Sequence, residues 1–92
     1  MNQEYNLKDF ELITFEPYIY QLFKDNHDTF LLEVTCGMHG IWQVWIKLND
    51  EEILLYEKEG DPGLEKIAGI FSYYCYDEEY KRRYVNVIQC NH

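Results

Sequence analysis

Basic residues are scarce in this sequence: 8 Lys and Arg stand against 17 Asp and Glu, which gives a formal net charge of -9. Like-charge repulsion disfavours binding to nucleic-acid phosphates and to anionic membranes. The one basic cluster, Lys81-Arg82-Arg83, directly follows Asp77-Glu78-Glu79-Tyr80 and is too short for a nucleic-acid footprint. The composition therefore predicts no nucleic-acid or membrane partner, and it favours a basic protein instead.

Motifs that would identify an enzyme are also lacking. The chain has no glycine-rich phosphate loop and no helical pair of metal-binding histidines, and its only serine, Ser72, lies within a predicted helix. Carboxylates are numerous, but none stands apart from the general acidic background. We therefore expect neither a catalytic site nor a cofactor.

Long apolar runs are absent as well, because no segment reaches the roughly 18 residues of a membrane-spanning helix. The first residues, Met1 to Tyr5, lack the basic head and apolar stretch of a signal peptide. Three cysteines, Cys36, Cys75 and Cys90, are an odd number without the spacing of a disulfide framework. Free thiols fit a reducing compartment, so these features together predict a cytoplasmic protein.

Large apolar side chains are plentiful, since 47% of the residues are hydrophobic and 17% are aromatic. This content excludes intrinsic disorder despite the high charge. Ninety-two residues are too few to enclose two separate cores. We expect residues 1–92 to form one domain.

Four segments in the first half of the chain are typical of strands, because they are short and rich in aromatic and β-branched residues. They are Phe10 to Phe15, Tyr18 to Phe23, Phe30 to Thr35 and Ile41 to Leu48, with Ile53 to Tyr56 as an expected fifth strand. Their separators are Glu16-Pro17, the polar stretch 24–28, the glycines Gly37 and Gly40, and the stretch 49–52. Short connections of this kind predict an antiparallel meander.

The apolar period then changes to that of one helix face, with Leu64, Ile67, Ala68, Phe71, Tyr74 and Cys75 at helical spacing. Asp61 is the expected N-cap and Pro62 the expected first helical residue. Stretch 77–83 is compatible with a second short helix, and Tyr84 to Gln89 alternates like a strand. The prediction is an α+β fold, in which a meander of about five to six strands packs against one helix in the C-terminal half.

Cys36 and His39 have the spacing of half a zinc site, and Cys90 with His92 would complete four ligands. Cys90 and His92, however, lie at a chain end, and small zinc domains usually compensate for a missing core. Cys36 and His39 are also a conceivable nucleophile and base, but proximity in sequence does not orient one toward the other. We favour unligated thiols that pack as small hydrophobic groups, and a hairpin turn at this position.

The two tryptophans lie three residues apart in one predicted strand, so they face opposite sides of the sheet. Trp42, Val44, Ile46 and Leu48 form the side expected to face the helix, which leaves Ile41, Gln43, Trp45 and Lys47 on the other side. Either another layer or a partner copy buries Trp45, or it is an exposed anchor for binding, since Trp and Tyr dominate interface hot spots. The expected partner-binding residues are Trp45, Gln43, Lys47, Tyr18, Tyr20, Asp50, Glu51 and Glu52.

In size, acidity and strand-strand-helix layout, the chain resembles the immunity proteins of bacterial contact-dependent growth inhibition and related polymorphic toxin systems. The stretches Leu48-Asn49-Asp50-Glu51-Glu52 and Asp61-Pro62-Gly63-Leu64 are part of this resemblance. It implies a cytoplasmic protein that occludes the active site of one cognate toxin, expected to be a basic nuclease, with carboxylates and aromatic side chains. Two alternatives are a homodimeric structural or regulatory subunit that associates through its sheet, and a small zinc-binding module.

Overall fold

A computed structural model describes residues 3–37 and 42–89 of the chain. Its main sheet is antiparallel and has four strands in sequence order. The strands are β1 (Glu4–Asn6), β2 (Glu11–Glu16), β3 (Tyr20–Lys24), β4 (Phe30–Cys36), β5 (Trp42–Lys47) and β6 (Asn86–Ile88). Strands β2 to β5 form the main sheet, and β1 pairs in parallel with β6. A short 3₁₀ helix, Leu7–Asp9, connects β1 to β2. The predicted α+β class with an antiparallel meander is confirmed.

The connections between the strands depend on the turn chemistry that the sequence predicts. Between β2 and β3, the Ile19 N–H donates to the Glu16 carbonyl at 3.0 Å and closes a tight turn around Pro17. Between β3 and β4, the Asp25 carboxylate accepts the backbone N–H groups of His27 and Thr29. Local side-chain and backbone hydrogen bonds therefore determine where these strands end. Of the predicted hairpin connection, positions 38–41 lie outside the described residues.

The predicted fifth strand, Ile53 to Tyr56, is wrong, because these residues lie within the helix α1 (Asp50–Glu59). Asn49 and Glu52 form a capping box: the Asn49 side chain accepts the Glu52 N–H at 2.9 Å, and the Glu52 carboxylate accepts the Asn49 N–H at 2.9 Å. This pair satisfies two donors that would otherwise lack partners and starts a helix. The cap outweighs the strand propensity of a short apolar run, whose period alone does not distinguish the two structures.

The predicted helix is α2 (Asp61–Tyr73), but its cap is shifted by one residue. Gly60, with a φ of 71°, both ends α1 and precedes α2, so Asp61 is the first helical residue rather than the N-cap. A positive φ is accessible to glycine at little cost, which allows two helices to meet at a single residue. A third, short helix, α3 (Glu78–Lys81), lies in the predicted second helical stretch, and β6 lies in the predicted last strand.

One hydrophobic cluster lies between the main sheet and the helices. The sheet and Leu48, which directly follows β5, contribute Tyr20, Leu22, Phe30, Leu32, Val34, Cys36, Val44, Ile46 and Leu48. Helix α2 and the turn after it contribute Leu64, Ile67, Ala68, Phe71 and Cys75. The predicted inner face of β5 is confirmed, and Trp42 packs half-buried at its margin. Each fully buried aliphatic side chain of this kind stabilises the fold by roughly 2 kcal/mol.

The opposite face of the sheet is not simply open to solvent, as the burial of Trp45 and Leu31 demonstrates. The Trp45 ring lies 5.4 Å from the Phe23 ring, centroid to centroid. The chain also returns along the edge of β5, where the Val85 N–H donates to the Trp45 carbonyl at 2.9 Å and Tyr84 bridges Ile46. None of the described helices has both the length and the apolar character needed to cross a membrane.

Candidate partner-binding surface

Two of the predicted partner-binding residues, Trp45 and Tyr20, are buried, and of the two alternatives for Trp45 the structure has the buried one. Only 8% of Trp45 and 2% of Tyr20 are exposed. Trp45 is enclosed because it packs on Phe23 beside the returning chain, and Tyr20 because its side chain belongs to the core between the sheet and α2. Neither ring is available to a partner without rearrangement of the fold.

The other six predicted residues lie toward two different ends of the sheet. Gln43 pairs with Thr35, and Thr35 also bonds to the turn that carries Tyr18. Lys47 pairs with Leu31, which lies four residues, or about 13 Å, from Thr35 along β4. Asp50, Glu51 and Glu52 follow Lys47 at the start of α1. The structure therefore brings Tyr18 and Gln43 together, but not the set as a whole.

Glu52 has a structural role that the sequence does not reveal. Its carboxylate forms a two-pronged ion pair with Arg83, at 2.7 and 3.2 Å, in addition to capping α1. Arg83 also donates to the Lys47 carbonyl at 2.9 Å. This network connects α1 to the C-terminal segment, whereas Asp50 and Glu51 remain exposed in the first turn of the helix.

Cys36, the first of the candidate zinc ligands, is buried in the core. Burial, followed by the neighbouring Cys75, raises the pKa of the Cys36 thiol to about 12, which disfavours the thiolate that a nucleophilic reaction requires. His39, Cys90 and His92 lie outside the described residues. Within the described residues, no group of three or more His, Cys, Asp or Glu side chains could hold a metal ion.

Tyr18, another of the predicted residues, is highly exposed, with 88% of its surface accessible. It occupies the turn between β2 and β3 with a φ of 67°, in the left-handed region that is strained for a residue with a large side chain. Phe15 and Ile19, beside it, are also about half exposed. Because the Thr35 N–H donates to the Ile19 carbonyl at 3.0 Å, this turn is attached to β4 and projects Tyr18 outward.

Tyr18 stands between two depressions of the surface. The first lies between the turn and α2 and is lined by Glu16, Tyr18, Thr35, Glu65, Gly69 and Ser72, and we call it the Tyr18 groove. The second lies over the sheet and is lined by Gln21, Glu33 and Gln43 on its far side, with Gln21 donating to the Glu33 carboxylate. No basic residue is among the described residues that line either depression.

The buried hydroxyl of Tyr20 lies close to the same carboxylates. Burial raises its pKa to about 12, and the negative charges of Asp61, Glu65 and Glu16 contribute further. The hydroxyl has no hydrogen-bond partner among the described residues, although buried hydroxyls are normally satisfied. Asp61 is itself held by a hydrogen bond from the Thr14 hydroxyl at 3.1 Å.

A second group of exposed aromatic residues lies at the C-terminal end of α2. Tyr74 stacks on Tyr80 at 4.7 Å with nearly parallel rings, and Tyr73 packs edge-on against Tyr74 at 4.8 Å. Tyr76, also exposed, lies 5.8 Å from Trp42. Sequence reasoning missed this tyrosine cluster, although four aromatic or thiol side chains in succession at 73–76 exceed what one helix face can bury.

The carboxylates near Tyr18 form no ion pairs in the part of the chain that the structure describes. Within residues 3–37 and 42–89, five carboxylates lie within 4.0 Å of a basic group, and they are Asp28, Glu52, Glu59, Glu78 and Glu79. Within the described residues, Glu16, Asp61 and Glu65 have no such partner. The Tyr18 groove is therefore an uncompensated negative site beside an exposed aromatic ring.

No known protein family, curated protein or solved structure matches this chain.

Proposed function

We propose that this protein binds one basic protein and neutralises it by covering its functional surface. The observation that carries the proposal is the exposed Tyr18 ring between two depressions that contain carboxylates and no basic side chain. Tyrosine is enriched at interface hot spots, because it contributes a large rigid contact area and a hydroxyl. Tyr18 is the anchor of the contact, in place of the buried Trp45.

The net charge of -9 supports a basic partner. Charges of opposite sign steer two proteins toward each other and raise the association rate by orders of magnitude at low ionic strength. Asp50 and Glu51, at the other end of the sheet, contribute to this long-range field rather than to the central contact.

The partner that best fits is a nuclease toxin, and the protein acts as its immunity protein. A nuclease binds phosphates through Lys and Arg side chains, and a surface of carboxylates competes for the same groups. We place the protein in the cytoplasm, where a cognate toxin would have to be neutralised, and the free thiols of Cys36 and Cys75 support a reducing compartment. In this proposal it acts by occlusion and has no catalytic activity of its own.

The test is to mix the protein with the basic toxin domain encoded beside its gene, and to measure stoichiometry, association rate and residual toxin activity. We expect a 1:1 complex without toxin activity, and an association rate that falls by roughly tenfold or more as salt is raised to screen surface charge. A toxin that remains active in the presence of excess protein would overturn the proposal. An association rate that is indifferent to salt and to Asp50→Asn with Glu51→Gln would overturn the steering component.

The alternative of a homodimer is favoured by one observation, the exposure of Leu12, Ile13 and Phe15 on the edge strand β2. An unpaired edge with apolar side chains is a typical association site. The buried Trp45 no longer supports a dimer through the sheet face. Light scattering at micromolar concentration separates the two hypotheses, since the inhibitor is expected to be monomeric and the subunit dimeric.

A further inference from the structure

We propose that the Tyr18 groove receives an arginine side chain of the partner, an inference that rests on the proposed function. The groove is bounded on one side by the turn of Glu16 and Tyr18, and on the other by the face of α2 that carries Glu65, Gly69 and Ser72. It thus joins two carboxylates and one aromatic ring from segments distant in sequence. The occupant that fits this combination is a single planar cation.

The chemistry of the walls favours arginine over lysine. A guanidinium group donates two parallel hydrogen bonds to a carboxylate and also stacks on an aromatic face, whereas an ammonium group is a compact and strongly hydrated point charge. Glu16 and Glu65 supply the carboxylates, and the exposed Tyr18 ring supplies the face. A cation placed over such a ring gains further attraction.

The floor of the groove leaves room for a long side chain. Three of its four lining residues on α2, Ala68, Gly69 and Ser72, are small, and a Cβ atom built on Gly69 would meet no atom within 4 Å. The three methylenes of an arginine would pack there against Ala68 and Ile19, which also line the groove. Neither Glu16 nor Glu65 is committed to an ion pair among the described residues, so neither contact has to be broken first.

The buried hydroxyl of Tyr20, which has no hydrogen-bond partner among the described residues, lies in the same negative region. Tyr20 is 2% exposed, and the negative charges of Asp61, Glu65 and Glu16 help to raise the pKa of its hydroxyl. A guanidinium that binds between Glu16 and Glu65 would offset part of the negative charge that acts on this hydroxyl. A metal ion is a poorer occupant, since no group of three ligands is present among the described residues.

The first experiment tests the groove without the partner, by titrating isotope-labelled protein with acetyl-arginine-amide and following backbone amide shifts. We expect saturable shifts at 16–19, 35 and 65–72. Acetyl-citrulline-amide, which has nearly the same shape without the charge, should produce little change. Equal shifts from citrulline, no saturation, or shifts spread over all acidic segments would overturn the inference.

Matched variants locate the binding. The pair Glu16→Gln with Glu65→Gln should abolish the shifts. The pair Glu4→Gln with Glu57→Gln removes the same charge from exposed positions outside the groove, and it should leave the shifts unchanged. Circular dichroism confirms that each variant is folded, and equal loss in both pairs would overturn a specific groove.

The second experiment separates this inference from the proposed function. In the complex with the basic toxin domain, Tyr18→Ala combined with Glu16→Gln and Glu65→Gln should weaken binding by roughly thirtyfold or more, as expected for a hot spot. If the triple variant binds as tightly as the original protein, the groove inference fails while the proposed function stands. If the groove binds acetyl-arginine-amide but the toxin domain does not bind at all, the proposed function fails instead.

Discussion

Tyr18 combines a strained backbone conformation with an exposed aromatic side chain. A tyrosine in the left-handed region costs about 1–2 kcal/mol, whereas glycine or asparagine adopts it readily. The side chain is almost fully exposed, so burial of apolar surface offsets little of this strain. Strain of this kind at an exposed side chain is typical of functional positions.

We expect Tyr18→Asn to raise the free energy of unfolding by about 0.5–1 kcal/mol, because asparagine tolerates a positive φ. Chemical denaturation at neutral pH measures the change. The matched control is Tyr76→Asn, at an exposed tyrosine that does not have a positive φ, where no gain is expected. A loss of stability in Tyr18→Asn would contradict the assignment of strain.

Tyr20 and Tyr84 are a matched pair for the energetics of a buried hydroxyl. The Tyr84 hydroxyl donates to the Cys75 carbonyl at 2.9 Å, whereas the Tyr20 hydroxyl has no partner among the described residues. At neutral pH, Tyr84→Phe should destabilise the fold by about 1 kcal/mol, and Tyr20→Phe should be neutral or stabilising. Equal destabilisation by both substitutions would contradict the absence of a partner for Tyr20.

The same two tyrosines determine a dependence of stability on alkaline pH. Burial is the main cause that raises the pKa of each from 10.0 to about 12 in the folded state, and nearby carboxylates contribute for Tyr20 and the Cys36 and Cys75 side chains for Tyr84. The neutral forms therefore stabilise the fold fully below pH 10, and this contribution is lost as the pH rises from 10 through about 12. Denaturation at several pH values should show a smaller alkaline loss in Tyr20→Phe and in Tyr84→Phe. An unchanged alkaline profile would contradict the raised pKa values.

At the scale of elements, local interactions set the ends of α1, and contacts between residues farther apart in sequence set how α1 and α2 pack. The capping box of Asn49 and Glu52 starts α1 locally, and Gly60 ends it. The two helices then approach closely at Gly63, where an added Cβ would lie 2.9 Å from the Leu55 carbonyl oxygen. Gly63 is therefore required by packing between helices rather than by its own backbone conformation.

We expect Gly63→Ala to destabilise the fold by about 1–3 kcal/mol, because the obstructing atom is backbone and cannot move aside cheaply. Gly69→Ala lies in the same helix, where the new methyl group meets nothing within 4 Å, and should stabilise by about 0.5–1 kcal/mol. Thermal denaturation of the two variants measures both effects. The same sign in both would contradict the close approach at Gly63.

At the scale of the whole molecule, the edge strand β2 combines exposed apolar residues with acidic ends. In an antiparallel pairing of two copies of β2 about its centre, Glu11 of one copy would face Glu16 of the other. This repulsion opposes self-association, while the register shift between Leu12 and Thr14 twists the edge. The charges at this edge thus protect β2 from self-association, although Leu12, Ile13 and Phe15 are exposed on it.

We therefore expect the protein to be monomeric at micromolar concentration, and Glu11→Gln combined with Glu16→Gln to associate measurably. Light scattering compares the two. The control is Glu4→Gln with Glu57→Gln, which changes the net charge equally without altering the ends of β2. Dimerisation of the unmodified protein, or equal association in both pairs, would contradict protection by these two charges.

Much of the fold is predictable because its determinants are local. The strands before Thr35, the inner face of β5 and the helix that begins near Asp61 follow from alternation, helical spacing and turn residues within a few positions of one another. The error at Ile53 to Tyr56 has the same origin, because a short apolar run is compatible with a strand or a helix, and the local capping box of Asn49 and Glu52 favours the helix. The shift of the α2 cap to Gly60 is one residue, within the usual uncertainty of helix ends.

The candidate site is less predictable because it depends on long-range packing. Spacing of four residues places Asp61, Glu65 and Gly69 along one side of α2, which is a signal in the sequence for a polar face. Nothing in the sequence indicates that this face lies opposite Glu16 and Tyr18. The burial of Trp45 likewise depends on Phe23 from another strand and on the return of the chain at Val85.

By itself, the sequence determined the α+β class, the positions of most strands, the start of α2 and the acidic charge of the molecule. These properties arise from composition and from neighbours within one or two turns of the chain. Only the tertiary structure decided that Trp45 and Tyr20 are buried and that Tyr18 faces solvent beside Glu16 and Glu65. Strand pairing and the docking of α2 set these exposures, and both join residues that are far apart along the chain.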